Sequence, residues 1–140
     1  MCPYLASWTR GWPASTRLAV ICCWGSQRFI VVDAGNGRNL ASLPIGSNSD
    51  AVVVDSRRRR AFSANGDGTL TIVSEGDGDQ YAVQRTVPTF FGGRNMAIDP
   101  EAGTLFLAHG NMKLMSGTKD LTQLRFGWDG LDLAIFEPLD

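Results

Sequence analysis

The chain has 140 residues, of which 44% are hydrophobic and 19% charged, with 13 Lys and Arg against 14 Asp and Glu and a formal net charge of −1. That size and balance fit one globular domain and argue against a general binder of nucleic acid or anionic lipid, because a near-neutral chain has no field to hold a polyanion. No run approaches the roughly 20 apolar residues of a membrane-spanning helix, and four Trp and seven Phe are too many large apolar side chains for an unfolded chain.

In chain order, residues 1–16 follow no pattern and form a divergent N-terminal segment without the basic start and apolar core of a secretory leader. Leu18 to Cys23 is a short apolar run, and residues 17–22 are read from it as a buried strand. Residues 29–32 predict a second, Asp33-Ala-Gly-Asn-Gly37 a turn, and residues 39–43 a third strand stopped by Pro44. No innermost strand is evident for this first unit. Residues 51–54 predict an innermost strand packed on both faces, 55–59 its turn, and 60–64 the next strand. Asn65-Gly66-Asp67-Gly68 joins two strong hairpin dipeptides, since Asn-Gly and Asp-Gly accept positive φ. Residues 69–73 and 81–87 complete the unit, with Asp77 and Asp79 in the Gly-rich turn between them. The third unit reads less regularly as strands at 104–108, 112–115 and 121–126, and residues 131–138 echo Met96-Ala-Ile-Asp-Pro100 as one more innermost strand.

The segment from Ala51 to Gly66 lies over that from Asn95 to Gly110 without a gap: Asp55 meets Asp99, Phe62 meets Phe106, Ala64 meets Ala108 and Gly66 meets Gly110, each 44 residues apart. A period in the low forties with several short strands per unit is that of β-propeller blades. The expected fold is therefore all-β: consecutive four-stranded antiparallel blades, about three in number, in an incomplete ring. Residues 17–110 carry the repeats, and 111–140 are divergent C-terminal strands that continue the last blade irregularly.

Leu40-Ala-Ser-Leu-Pro-Ile-Gly46, Asp50-Ala-Val-Val-Val-Asp55, the run from Ala61 to Val73 and Arg94-Asn-Met-Ala-Ile-Asp-Pro100 resemble the YncE-like, YVTN-repeat β-propellers over about residues 17–110. Phe62-Ser-Ala-Asn65 and Leu105-Phe-Leu-Ala108 stand loosely where that repeat has Tyr-Val-Thr-Asn. The resemblance implies a binding or scaffold module with an exported parent, although the chain shows no signal peptide of its own and its compartment stays open. Propellers close with four to eight blades. An open end would leave an apolar patch on the order of 500 Å², or about 12 kcal/mol of unrealised burial, against a total stability of about 5–15 kcal/mol. The count predicts a piece of a longer propeller or a homo-oligomer that completes a ring.

Ligands of such a ring would meet loops at the channel mouth, which here are residues 24–27, 46–50, 65–68, 89–95 and 109–111. The candidate binding residues are Asn48, Asp50, Asn65, Asp67, Phe90, Arg94, Asn95 and His109. Asp50 and Arg94, 44 apart, are placed to form an ion pair; Phe90 and Phe91 either stack on a ligand or, as Phe more often does, bury themselves between blades. The run Arg57-Arg-Arg-Arg60 falls in a surface turn without interleaved aromatics, which argues against nucleic acid as partner. Three cysteines, Cys2, Cys22 and Cys23, give no disulfide framework and no metal spacing. Asp67, Asp77 and Asp79 lack the spacing of a calcium loop. No nucleophile pairs with His109, and no cofactor or catalytic residue is assigned. A binding module for an unidentified small molecule or protein is the favoured reading. The alternatives are a partial lactonase-like or oxidoreductase-like propeller with its ligands elsewhere, and a non-functional truncation product.

Overall fold

The computed structural model describes residues 4–9, 18–23, 25–114 and 126–138. Its strands are Tyr4–Thr9 (β1), Leu18–Cys23 (β2), Arg28–Asp33 (β3), Asn39–Pro44 (β4), Ser49–Asp55 (β5), Arg60–Asn65 (β6), Thr69–Glu75 (β7), Tyr81–Pro88 (β8), Gly93–Ile98 (β9), Leu105–Leu114 (β10) and Phe126–Phe136 (β11). They form three open antiparallel sheets with neighbours in chain order, β1-β2-β3-β4, β5-β6-β7-β8 and β9-β10-β11. Among the described residues there is no helix, hence none long and apolar enough to cross a membrane.

The second sheet lies between the other two, with β5 against β1 and β2 on one side and against β9 on the other. The period-2 alternation of a strand divides its side chains between two cores. Val52, Val54, Ala61 and Val73 join Leu18, Val20, Phe29 and Val31 of the first sheet. Ala51, Val53, Phe62, Ala64 and Leu70 face Leu105, Leu107 and Phe136 of the third.

Three connections share one grammar. Asp33, Asp55 and Asp99 each open a turn whose fifth residue has positive φ: Gly37 at 75°, Arg59 at 53° and Gly103 at 79°. The opening carboxylate accepts backbone N–H groups of the turn, from Gly35 in the first, Arg58 in the second, and Glu101 and Ala102 in the third. Arg59 and Gly103, and likewise Asn48 (φ 55°) and Gly92 (φ 77°), stand 44 residues apart, so the period holds in backbone conformation at these two pairs; the Asp33 turn, between β3 and β4, lies outside it.

Two expectations are corrected. The first unit does have a leading strand: β1 pairs with β2 from Tyr4 against Cys23 to Thr9 against Leu18. It stands within a few residues of where the period puts it, but without the Val run and closing Asp that mark β5. The third sheet is not built as the second is. Gly68, with φ 86°, permits the tight β6–β7 hairpin, whereas the equivalent residue is Met112, whose side chain disfavours a left-handed backbone. There the strand runs on through a bulge between Gly110 and Met112, and the separate third strand expected from residue 112 is absorbed into β10. β11 takes the third place by pairing with β10, so residues 131–136 are not a further innermost strand. Most of the strand expected at 121–126 lies outside the described residues. The sheets thus hold four, four and three described strands.

Candidate functional site

Three loops converge at one end of the stack. The Gly66 N–H donates to the carbonyl of Asn48 (2.8 Å), the Thr89 N–H to that of Gly68 (2.7 Å) and the Gly92 N–H to that of Gly66 (3.1 Å). The β4–β5 crossing, the β6–β7 hairpin and the β8–β9 crossing are therefore stitched backbone to backbone, which places residues 46–50, 65–68 and 89–92 side by side, while Trp24 of the predicted mouth lies outside the described residues.

Beneath the first crossing lies a chain of small polar side chains in which donor counting fixes the protons of Asn65, Ser63, Ser49 and Thr69. The Asn65 Nδ2 protons go to Thr69 Oγ1 (2.9 Å) and Thr71 Oγ1 (3.0 Å). Ser63 Oγ donates to Asn65 Oδ1 (2.9 Å), so it accepts from Ser49 Oγ (2.8 Å) and from the Cys22 thiol (3.4 Å). Thr69 Oγ1 donates to Asp67 Oδ1 (2.6 Å), and Asp67 Oδ2 accepts the Ser47 N–H (2.7 Å) and hydroxyl (3.3 Å). Burial raises the Asp67 carboxyl, but the bonds from Thr69 and Ser47 together outweigh it and hold it below the ordinary value. Burial pushes the Cys22 thiol up against the two serine hydroxyls, which leaves it protonated and unreactive at neutral pH. Asn65 and Asp67 thus spend their hydrogen-bonding capacity inside the chain. Gly46 passes over them so closely that a Cβ there would stand 2.5 Å from Thr69 Oγ1 and 2.7 Å from Asn65 Nδ2.

The second crossing repeats the position with different chemistry. Phe90 is the equivalent of Gly46 and His109 that of Asn65. The phenyl ring lies on the imidazole with centroids 4.1 Å apart and planes at 9°. His109 is buried, whereas Phe90 is 50% and Phe91 60% exposed, so burial of these two rings between sheets is not what occurs. Asp50 and Arg94 approach to 4.0 Å as expected, both partly exposed. Asn48 and Asn95 lie exposed alongside. The surface presented is the Phe90 and Phe91 rings, the first backed by the buried His109, flanked by a guanidinium, a carboxylate and two amides, chemistry that can stack on a planar polar group.

The opposite end accounts for the arginine run. Asp55, fully buried, binds Arg58 (3.3 Å) and lies 3.7 Å from Arg60. The Arg58 guanidinium also donates to the carbonyls of Glu101 and Ala102, clasping the second sheet to the third. Arg59 reaches Glu75 (3.2 Å) and Asp77 (3.6 Å). Burial, with Glu75 and Asp79 nearby, pushes the Tyr81 phenol well above its ordinary range. Three of the four arginines are tied within the chain, and only Arg57 is left to solvent among the described ion pairs.

Among the described residues no three His, Cys, Asp or Glu side chains converge as metal ligands. Cys23 is disulfide-bonded, so the cysteines, from which the sequence yields no disulfide framework, do include a bonded one. The sequence reading names Gly46 and Ser49 only as members of the 46–50 loop and misses Ser63, Thr69 and Thr71; their signal is the small polar residues at alternate positions of the facing strands β6 and β7. No family model matches the chain, and no curated protein matches it significantly.

Proposed function

We propose that the chain is a non-enzymatic β-propeller repeat module of the YVTN-repeat kind, contributing three blades to a larger ring and binding a small molecule or a protein on the loop face around Phe90 and Arg94. The observation that carries this reading is the stacking of three sheets in chain order with β5 flanked by β1 and β9, under a 44-residue period that repeats both turn conformations and residue types. It is supported by the outward face of the third sheet, where Leu131, Leu133 and Ile135 are 75%, 59% and 57% exposed. The equivalent face of the second sheet is covered by the third, and large apolar side chains in a row mark a surface that another sheet covers. Two chains would supply six sheets, within the four to eight at which propellers close.

Size-exclusion chromatography with light scattering tests the reading. The expected mass is at least twice that of one chain, and Leu133→Asp should reduce it to one. A soluble, cooperatively unfolding monomer at low concentration would refute the ring.

A further inference from the structure

A second site lies on the outer flank, away from the loop face. Between the first two sheets the flank is filled: β4 packs against β8, and Leu40, Leu43, Tyr81 and Val83 close over the core. Between the second and third sheets nothing among the described residues occupies the corresponding place, and a cleft of about 360 Å³ remains, within the usual range of small-molecule sites. Phe62, Leu70, Ile72 and Val87 line it from the second sheet, and Leu105 and Phe136 from the third.

The cleft has a cationic rim. Arg85 pairs with Ile72 across β7 and β8 and so shares its face; it is exposed and makes no ion pair among the described residues. The Arg60 guanidinium lies 5.7 Å over the Phe62 ring, and its Nε, although 3.7 Å from Asp55, is buried without a hydrogen-bond acceptor. The acidic side chain lining the cleft is Glu137, which accepts from the Thr104 hydroxyl (3.4 Å), while Asp55, behind Arg60, is held by Arg58 as well. Arg60 and Arg85 against Glu137 leave the lining with one positive charge beside an apolar floor.

We propose that this cleft binds an amphiphile with a single anionic head, a medium-chain or aryl carboxylate. Its tail lies on Phe62, Ile72, Val87, Leu105 and Phe136, and its carboxylate is held by Arg85 with Arg60 behind it. An apolar wall supplies affinity by burial, and a guanidinium bound to a carboxylate supplies selectivity for charge.

Isothermal titration calorimetry of the whole chain with sodium decanoate, decan-1-ol and decylammonium tests this. Decanoate should bind saturably at one site per chain, and decanol about tenfold more weakly, as expected for loss of a charge-assisted contact. Arg85→Gln, an exposed change, should weaken decanoate about tenfold and leave decanol unaltered. Ile72→Trp, which fills the cleft, should abolish binding of both while circular dichroism shows the fold retained. Leu133→Ser, on the bare face of the third sheet, should alter neither. Absence of saturable decanoate binding overturns the proposal, as does equal binding of decylammonium, indifference to both cleft variants, or loss of binding in Leu133→Ser. The cleft lies within one chain, so a monomeric mass would refute the ring and leave this site standing.

Discussion

The two sheet interfaces are built on the same repeat and end differently. Between the first and second sheets, four strands face four and the core runs unbroken from Leu18 to Val73. Between the second and third, the core separates into two smaller clusters and a cleft opens on the flank. The difference coincides with one position of the repeat. Gly68 stands in the tight β6–β7 hairpin, and Met112 at the equivalent place lies within β10, which runs on past a bulge. Among the described residues the unit that turns at Gly68 has four strands and the one that runs on at Met112 has three.

The contrast is sharpest in the cores. Phe29→Ala, in the continuous core, should cost about 3–5 kcal/mol in urea unfolding, and Leu105→Ala, beside the cleft, only about 2–3 kcal/mol, because space already adjoins it. Equal losses would show that the second interface is packed as tightly as the first. Next in size is the pair of equivalent crossing positions. Gly46→Ala should cost about 2 kcal/mol, since the new methyl displaces hydrogen-bonded atoms of Asn65, Asp67 and Thr69. Phe90→Ala, truncating an exposed ring, should stay within about 0.5 kcal/mol.

The smallest effect is in pH. The Asp67 carboxyl is held down by its bonds from Thr69 and Ser47 against burial, and that of Asp99 by the Glu101 and Ala102 N–H groups. Both bind a proton less readily folded than unfolded. Their stabilisation is therefore complete above the unfolded carboxyl value of about 3.9 and is lost as pH falls through the lower folded values. Urea midpoints should drop on acidification below about pH 4, less steeply in Asp67→Asn, while Asp99→Asn, in an exposed turn, should flatten the profile least. An unchanged acid limb in Asp67→Asn would remove the carboxylate from this account.

The strands of the second sheet were legible because alternation, Asn-Gly and Asp-Gly turns and the Asp-led turns are local signals, and the match of Asp55 with Asp99 exposed the period. The loops carrying Asn48, Asn65, Asp67 and Phe90 lie side by side because loops at one end of stacked hairpins must meet. The division among them was not legible. That Asn65 and Asp67 turn inward depends on which hydroxyls oppose them across β6 and β7, and that His109 lies beneath Phe90 depends on the second crossing carrying a ring where the first carries no side chain. β1 escaped because its strand lacks the closing Asp, and the course of β10 because the absence of a glycine at Met112 is a weaker signal than its presence at Gly68.

The position of Cys22 turns the first interface into its own gauge. Its thiol is sealed between two sheets and anchored to Ser63, so an external thiol reagent can reach it only during moments when those sheets part. The rate of labelling in native buffer then reports how often the stack opens at that seam, one contact surface at a time, without unfolding the rest of the chain.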